Sequence, residues 1–378
     1  MGESAPLLPM PMPRPPALRV WLPSSLPVIL TLLLGVFTAP AADVLPAPWP
    51  AYRNRPEVQA FIQALVEKHQ FEAESLTHLL DAVRLNPQAM ALVAPPVIPV
   101  RRSWRVYRSR FVEPQRIRAG VAFWREHAAT LARAERDYGV PAEILVGILG
   151  VETIYGRNMG SFPVLEALTT LAFDYPEAPN KPGRSAMFLR ELEDYLVWCR
   201  DTHQDATALT GSYTGAIGLP QFLPSSIRAY AVDYDGDGHV DLRSSRADAI
   251  GSIARYLKEH GWQPGRPSLW PIARTKKALG VLATKADGDP SLKWRMGDLL
   301  EAGILPRDLR TPRQFRAFRK KERDTKIVLV DLPSPDRATE YHLGLNNFYV
   351  ITRYNRSFFY AMSVVELGQA VKRAMKRK

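Results

Sequence analysis

Pro141-Ala142-Glu143-Ile144-Leu145-Val146-Gly147-Ile148-Leu149-Gly150-Val151-Glu152-Thr153 carries no charge between its two glutamates. Proline suits the first position of a helix, where its missing N–H costs nothing. A helix apolar on every side is a buried helix, so this stretch predicts a mainly helical fold packed around it. Glu152 follows Ile148 by four residues and Leu145 by seven, which aims it along the apolar stripe. Burial disfavours a carboxylate and raises its pKa, and a carboxyl group that keeps its proton near neutrality suits a general acid. Gly147 and Gly150 permit close approach by another element or a ligand. The plainer alternatives are that Glu152 ends the buried segment and turns to solvent, or pairs with Arg157.

Outward from this helix the pattern stays helical. Residues 114–139 have helical periodicity, as do 74–85 and a segment opening at Pro56 with Val58, Phe61, Ile62 and Leu65 on one side. Ala94-Pro95-Pro96-Val97-Ile98-Pro99 is expected to be extended. Beyond the central helix, further helices are predicted over 184–201, 245–260 and 357–375, with a strand over 348–352. From 264 to 338 short apolar runs, such as 278–283 and 327–332, are broken by proline and glycine, as in a small β-containing insert. The fold class is therefore mainly α (α+β). The expected division is a signal over 1–42, a helical region over 43–112, a core from 113–263 and 339–378, and the insert between the two core segments.

The N-terminus indicates the compartment. Arg14 and Arg19 precede an apolar stretch over 26–37, and Thr38-Ala39-Pro40-Ala41-Ala42 follows. That order is the pattern of a secretory signal cleaved near Ala41 or Ala42, hence a periplasmic protein. The stretch is short for a membrane span and contains Pro27, so membrane association is expected only if the signal stays attached. Cys199 is the single cysteine, which excludes an intramolecular disulfide, a cysteine-built zinc site and a lipid-bearing cysteine near the signal. Its spacing from Leu192, Tyr195 and Leu196 marks it as a core residue.

A formal net charge of +12 favours a polyanionic partner, and nucleic acid, an anionic membrane face and peptidoglycan with its free carboxylates all qualify. The basic run over 313–326 has no aromatic beyond Phe315 and Phe318 and no nucleic-acid motif around it. It reads as a solvated face, and no nucleic-acid partner is expected.

Two loops add chemistry. In Gly211-Ser212-Tyr213-Thr214-Gly215-Ala216-Ile217-Gly218-Leu219-Pro220-Gln221-Phe222, three glycines within eight residues let backbone groups approach a ligand. Ser212 and Gln221 add short hydrogen-bonding side chains, while Tyr213 and Phe222 offer rings to lie against sugar faces. A structural turn explains the stretch equally well. Asp233-Tyr234-Asp235-Gly236-Asp237-Gly238-His239-Val240 matches the opening of an EF-hand calcium loop, with carboxylates at positions 1, 3 and 5, glycine at 6 and the His239 carbonyl at 7. Ser244 replaces the glutamate usual at position 12, and Asp248 supplies the missing carboxylate if the loop is longer. The expected cofactor is a structural Ca²⁺, with no organic cofactor.

Together the blocks at 147–153, 211–226, the acidic loop, 248–262 and Leu345-Asn346-Asn347-Phe348-Tyr349-Val350-Ile351-Thr352-Arg353-Tyr354-Asn355 resemble the membrane-bound lytic murein transglycosylase B family and its soluble relatives, glycoside hydrolase family 103. The likeness runs from about 102 to 370. It implies a lysozyme-like core that cleaves the β-1,4 bond between N-acetylmuramic acid and N-acetylglucosamine in peptidoglycan strands, and a monomer is expected. By this resemblance Glu152 is the catalytic acid/base. Ser212, Gln221, Tyr107, Tyr256, Tyr354, Asn355 and Tyr360 line the site, and Asp233, Asp235, Asp237, His239 and Asp248 hold calcium. The implied product is a 1,6-anhydro sugar, formed when the substrate's own hydroxyl attacks. The rival readings are a lysozyme-type hydrolase, which needs a second carboxylate such as Glu166 or Asp174, and a non-catalytic, calcium-stabilised glycan-binding protein.

Overall fold

The computed structural model describes residues 52–96 and 101–376. The expected signal and part of the expected extended segment, Val97 to Pro99, lie outside the described residues.

After a short 3-10 helix (Tyr52–Asn54), the described residues run through α1 (Pro56–His69), α2 (Ala73–Asp81), α3 (Pro87–Val93), α4 (Trp104–Phe111), α5 (Pro114–Glu126), α6 (Ala128–Tyr138) and α7 (Ala142–Thr153). A short strand β1 (Phe162–Pro163) leads into α8 (Val164–Phe173) and α9 (Lys181–Asp201). Strand β2 (Thr210–Gly211) pairs back on β1, and α10 (Pro224–Tyr230) and α11 (Arg246–Glu259) follow. The next stretch holds β3 (Leu269–Pro271), α12 (Lys276–Lys285), β4 (Trp294–Arg295), α13 (Met296–Glu301), α14 (Pro312–Glu322), β5 (Lys326–Ser334) and β6 (Arg337–Gly344). Helices α15 (Asn346–Tyr354) and α16 (Phe358–Lys376) close the fold. Helix starts follow local chemistry: the Ser103, Glu113, Ser245 and Thr275 side chains each accept a backbone N–H of the first turn they precede.

The apolar stretch is α7, and every residue from Ala142 to Thr153 except Glu143 is buried. Its partner is α16. A Cβ on Gly147 would sit 2.3 Å from the Val364 carbonyl oxygen, and one on Gly368 would sit 2.0 Å from that of Glu143. The glycines therefore serve helix-on-helix contact, with backbones closer than side chains allow. Lys372 reinforces the pair through a 2.7 Å bond to Glu143.

The small sheet is antiparallel in the order β3-β6-β5-β4. Alternation along β5 serves two cores. Ile327 and Leu329 join a second cluster with Leu282, Met296 and Leu343, whereas Val328, Val330 and Leu332 join the main core.

Three sequence expectations change. Residues 348–352 are not a strand but the middle of α15. The β-branched Val350-Ile351-Thr352 favours a strand by propensity, yet Asn347, Phe348, Val350, Ile351 and Thr352 are all buried when helical, and burial outweighs propensity. The run 278–283 lies in α12, where Ala278 and Leu282 face the second core at helical spacing; a uniformly apolar run hides that period. Residues 114–139 form two helices, because His127 (φ −109°, ψ 25°) ends α5 and begins α6. Among the described residues no helix is long and apolar enough to cross a membrane.

Candidate active site

Glu152 lies in the last turn of α7, whose end is held from several sides. The Thr153 hydroxyl bonds to the Leu219 carbonyl (3.1 Å) and accepts the Gly156 N–H (3.0 Å), tying the helix to the glycine-rich loop. Ile154 (φ 53°) and Tyr155 (φ 59°) are consecutive left-handed residues without glycine's freedom. That backbone is strained and persists because its surroundings over-determine it. Arg116, buried on α5, donates from Nη1 to the carbonyls of Gly150 and Val151, placing positive charge at the helix C-terminus. Sequence reasoning missed Arg116, since nothing local distinguishes it from its exposed neighbours.

The Glu152 carboxyl is buried and accepts a 2.5 Å hydrogen bond from the Tyr360 hydroxyl on α16. It neither turns to solvent nor pairs with Arg157. Burial pushes its pKa up to about 8, with the Tyr360 bond acting in the opposite direction. Around it stands an aromatic wall. Tyr354 lies nearly parallel to Tyr360 (centroids 6.3 Å, 12°) and donates to the Pro220 carbonyl. Tyr256 donates to the Arg353 carbonyl at 2.7 Å and meets Tyr354 edge-on at 5.0 Å. Tyr107 packs on Phe111 and Phe359. Burial first, and the Glu152 charge second, raises the phenol pKa of Tyr107, Tyr354 and Tyr360, so all three sense the carboxyl. Phe222 needs correction as a sugar-facing ring. It is 2 % exposed and wedged against Tyr256 and Tyr354, so it props the wall from behind. Asn355 follows α15 and is half-buried; its neighbour Arg356 reaches Asp289 of the small unit at 3.3 Å.

In the glycine-rich loop, Ser212 Oγ accepts the N–H groups of Thr214 (3.2 Å) and Ala216 (3.0 Å), so this side chain also shapes the turn. Gly218 (φ 74°) is required, because a Cβ there would lie 2.4 Å from the Leu242 carbonyl oxygen. Gln221 is left-handed (φ 51°), and its Nε2 donates to the Met159 and Gly218 carbonyls, which fixes the direction of its amide oxygen.

The acidic loop wraps around a buried carboxylate. Asp248, in the first turn of α11, accepts the N–H groups of Tyr234 (2.7 Å) and Asp241 (2.8 Å). Carboxylate oxygens of Asp233, Asp235 and Asp248 lie within 4.8 Å of one another. Such hard oxygen donors fit Ca²⁺. Asp237 stands apart, its carboxylate accepting the His239 N–H, and both residues are exposed.

Asp174 is committed elsewhere: it pairs with Arg55 at 2.9 Å and accepts the Tyr52 hydroxyl at 2.8 Å. Glu166 sits in the first turn of α8 and is partly exposed, outside the dry surroundings that enclose Glu152.

A family model described as "Transglycosylase SLT domain" matches residues 53–369. The membrane-bound lytic murein transglycosylase B of Escherichia coli (strain K12) is 38% identical over 333 residues, covering 85% of this chain and 84% of the relative. Solved structures match as folds as well, two of them as follows. Lytic transglycosylase SltB1 from Pseudomonas aeruginosa, in a catenated form, has a TM-score of 0.75 at 41% identity, covering 86% of this chain and 99% of the other. The Escherichia coli lytic transglycosylase Slt35 in complex with calcium has a TM-score of 0.71 at 37% identity, covering 85% of this chain and 94% of the other.

Proposed function

Because the chain belongs to the transglycosylase SLT domain family and is a lytic transglycosylase acting on peptidoglycan, we propose that Glu152 is its only acid/base and that its products carry a 1,6-anhydro muramic acid end. The observation that carries this reading is a single carboxyl group, buried, raised to about 8 and bonded to one tyrosine.

With that pKa Glu152 holds its proton at neutral pH and donates it to the glycosidic oxygen as the bond between N-acetylmuramic acid and N-acetylglucosamine breaks. The resulting carboxylate is buried, and the Tyr360 O–H bonded to it is the group that stabilises it there. It then takes the proton of the muramic acid C6 hydroxyl as that oxygen closes on C1. The nucleophile belongs to the substrate, so no second carboxylate is needed. Tyr107, Tyr256 and Tyr354 pack against sugar rings, while Ser212, Gln221 and Asn355 orient acetamido or hydroxyl groups. Asp233, Asp235 and Asp248 would hold a structural Ca²⁺, and Asp237 would join them with the His239 carbonyl only by turning away from the His239 N–H that it accepts here. A bound Ca²⁺ would tie the loop to the start of α11. The enzyme works in the periplasm, after cleavage of its N-terminal signal.

The test is mass spectrometry of the muropeptides released from purified sacculi. Products one water lighter than those of a hydrolase, absent with Glu152→Gln, support the proposal. Products with a free reducing end overturn it.

A further inference from the structure

Helix α14 presents a stripe of positive charge that the cleft does not use. Arg313, Arg316 and Lys320 recur at i, i+3 and i+7, hence on one side of the helix. Phe315, Phe318 and Glu322 occupy the opposite side: the two rings pack on the second core, and Glu322 is buried against Arg266 at 2.6 Å. The three basic residues are exposed, and none forms an ion pair among the described residues. The nearby Arg319 meets Glu301 at 3.7 Å, while Lys321 and Arg323 extend the same positive field. Across 313–326 there are seven Lys or Arg against two acidic residues, and one of those two is the buried Glu322.

We infer that this stripe is a docking surface for peptidoglycan away from the cleft, drawn to the carboxylates of its stem peptides. The inference rests on the peptidoglycan-cleaving function. Charge complementarity selects a carboxylate-bearing polymer. An anionic membrane is the weaker fit, because a helix that adsorbs to lipid turns its aromatic residues outward, and here both phenylalanines face inward. The fold connects this surface to the cleft: β5 is shared by both cores, and Arg356, next to Asn355, bonds to Asp289. A surface of this kind raises the local concentration of strands at the cleft, and salt weakens it.

The test compares the full-length enzyme with an Arg313→Gln, Arg316→Gln, Lys320→Gln variant. Substrates are intact sacculi, sacculi whose carboxylates have been amidated chemically, and short soluble glycan fragments. Unchanged melting and unchanged turnover of the soluble fragments establish that fold and active site are intact. On intact sacculi at low salt the variant should be slower by about three- to tenfold. The gap should close at high salt and be missing on amidated sacculi. Equal rates on intact sacculi at low salt would overturn the inference. So would a defect confined to binding anionic phospholipid vesicles, which would make the surface a membrane contact. If the wild-type enzyme cleaved none of the three substrates, the underlying function would fail instead.

Discussion

Replacing Glu152 by Gln should stabilise the protein while inactivating it, and the gain should grow with pH. In the unfolded chain this carboxyl titrates near its ordinary value of 4.5; in the fold burial pushes it up to about 8. Between those values the folded state holds a proton that the unfolded state has released. Stability from this group is therefore complete below pH 4.5 and is lost as pH rises through 8. At pH 7 the loss spans roughly two and a half units, or about 3 kcal/mol. Gln keeps the size of the side chain and an oxygen for the Tyr360 hydroxyl, and it never ionises. Thermal unfolding of both proteins from pH 4.5 to 8 is the assay, because the other titrating groups are common to both and cancel in the difference. The two should melt together at the acid end, and Gln should melt several degrees higher at pH 8. A difference independent of pH, or a Gln variant less stable at pH 8, would refute the claim that the fold confines an unpaired carboxyl.

Tyr360→Phe removes the hydrogen bond that favours the ionised form, so the alkaline limb of kcat/KM should move up by about one unit while kcat falls; an unmoved limb would separate this hydroxyl from the proton chemistry. Gly147→Ala forces a methyl against the Val364 carbonyl and should cost about 2 kcal/mol or more in denaturant titration; a neutral result would mean that the α7–α16 contact is looser than described. Chelation of calcium, or Asp248→Asn, should lower Tm while leaving activity below the transition nearly intact; a fall in activity at unchanged Tm would point to a catalytic ion. Asp174→Asn should cost about 1 kcal/mol, since Arg55 keeps Glu57 as a partner, yet leave the product masses unaltered, and a folded variant without turnover would return this carboxylate to the chemistry.

Legibility varied with how local the cause is. Glu152 was readable because α7 carries its burial in its own composition, with eight uncharged residues leading to one carboxyl group. In the acidic loop the spacing pointed to Asp233 and Asp235, which do meet, whereas Asp248 entered only as the longer-loop alternative and Asp237 stands apart. Tyr360 was different: its role depends on α16 crossing α7, and the residues around it give no sign of that contact, so only resemblance to a family pointed to it. Arg116 left no trace at all. The strand expected at 348–352 failed because a β-branched triplet says nothing about the core it is buried in. Phe222 failed for a related reason, since an aromatic residue in a loop looks the same whether it faces a ligand or supports the residues that do.

The bond between Glu152 and Tyr360 joins positions 208 residues apart, and the second belongs to the last helix described. A ribosome finishes the carboxyl-bearing helix long before it makes the tyrosine. During that interval α7 lacks the surface that encloses its apolar side, and the carboxyl has neither its dry surroundings nor its hydrogen-bond donor. The topology thus works as a timer: a partly made chain has the proposed acid but not the conditions that keep a proton on it. A chain cut short before residue 358 should be inert for the same reason, however much of the aromatic wall it retains.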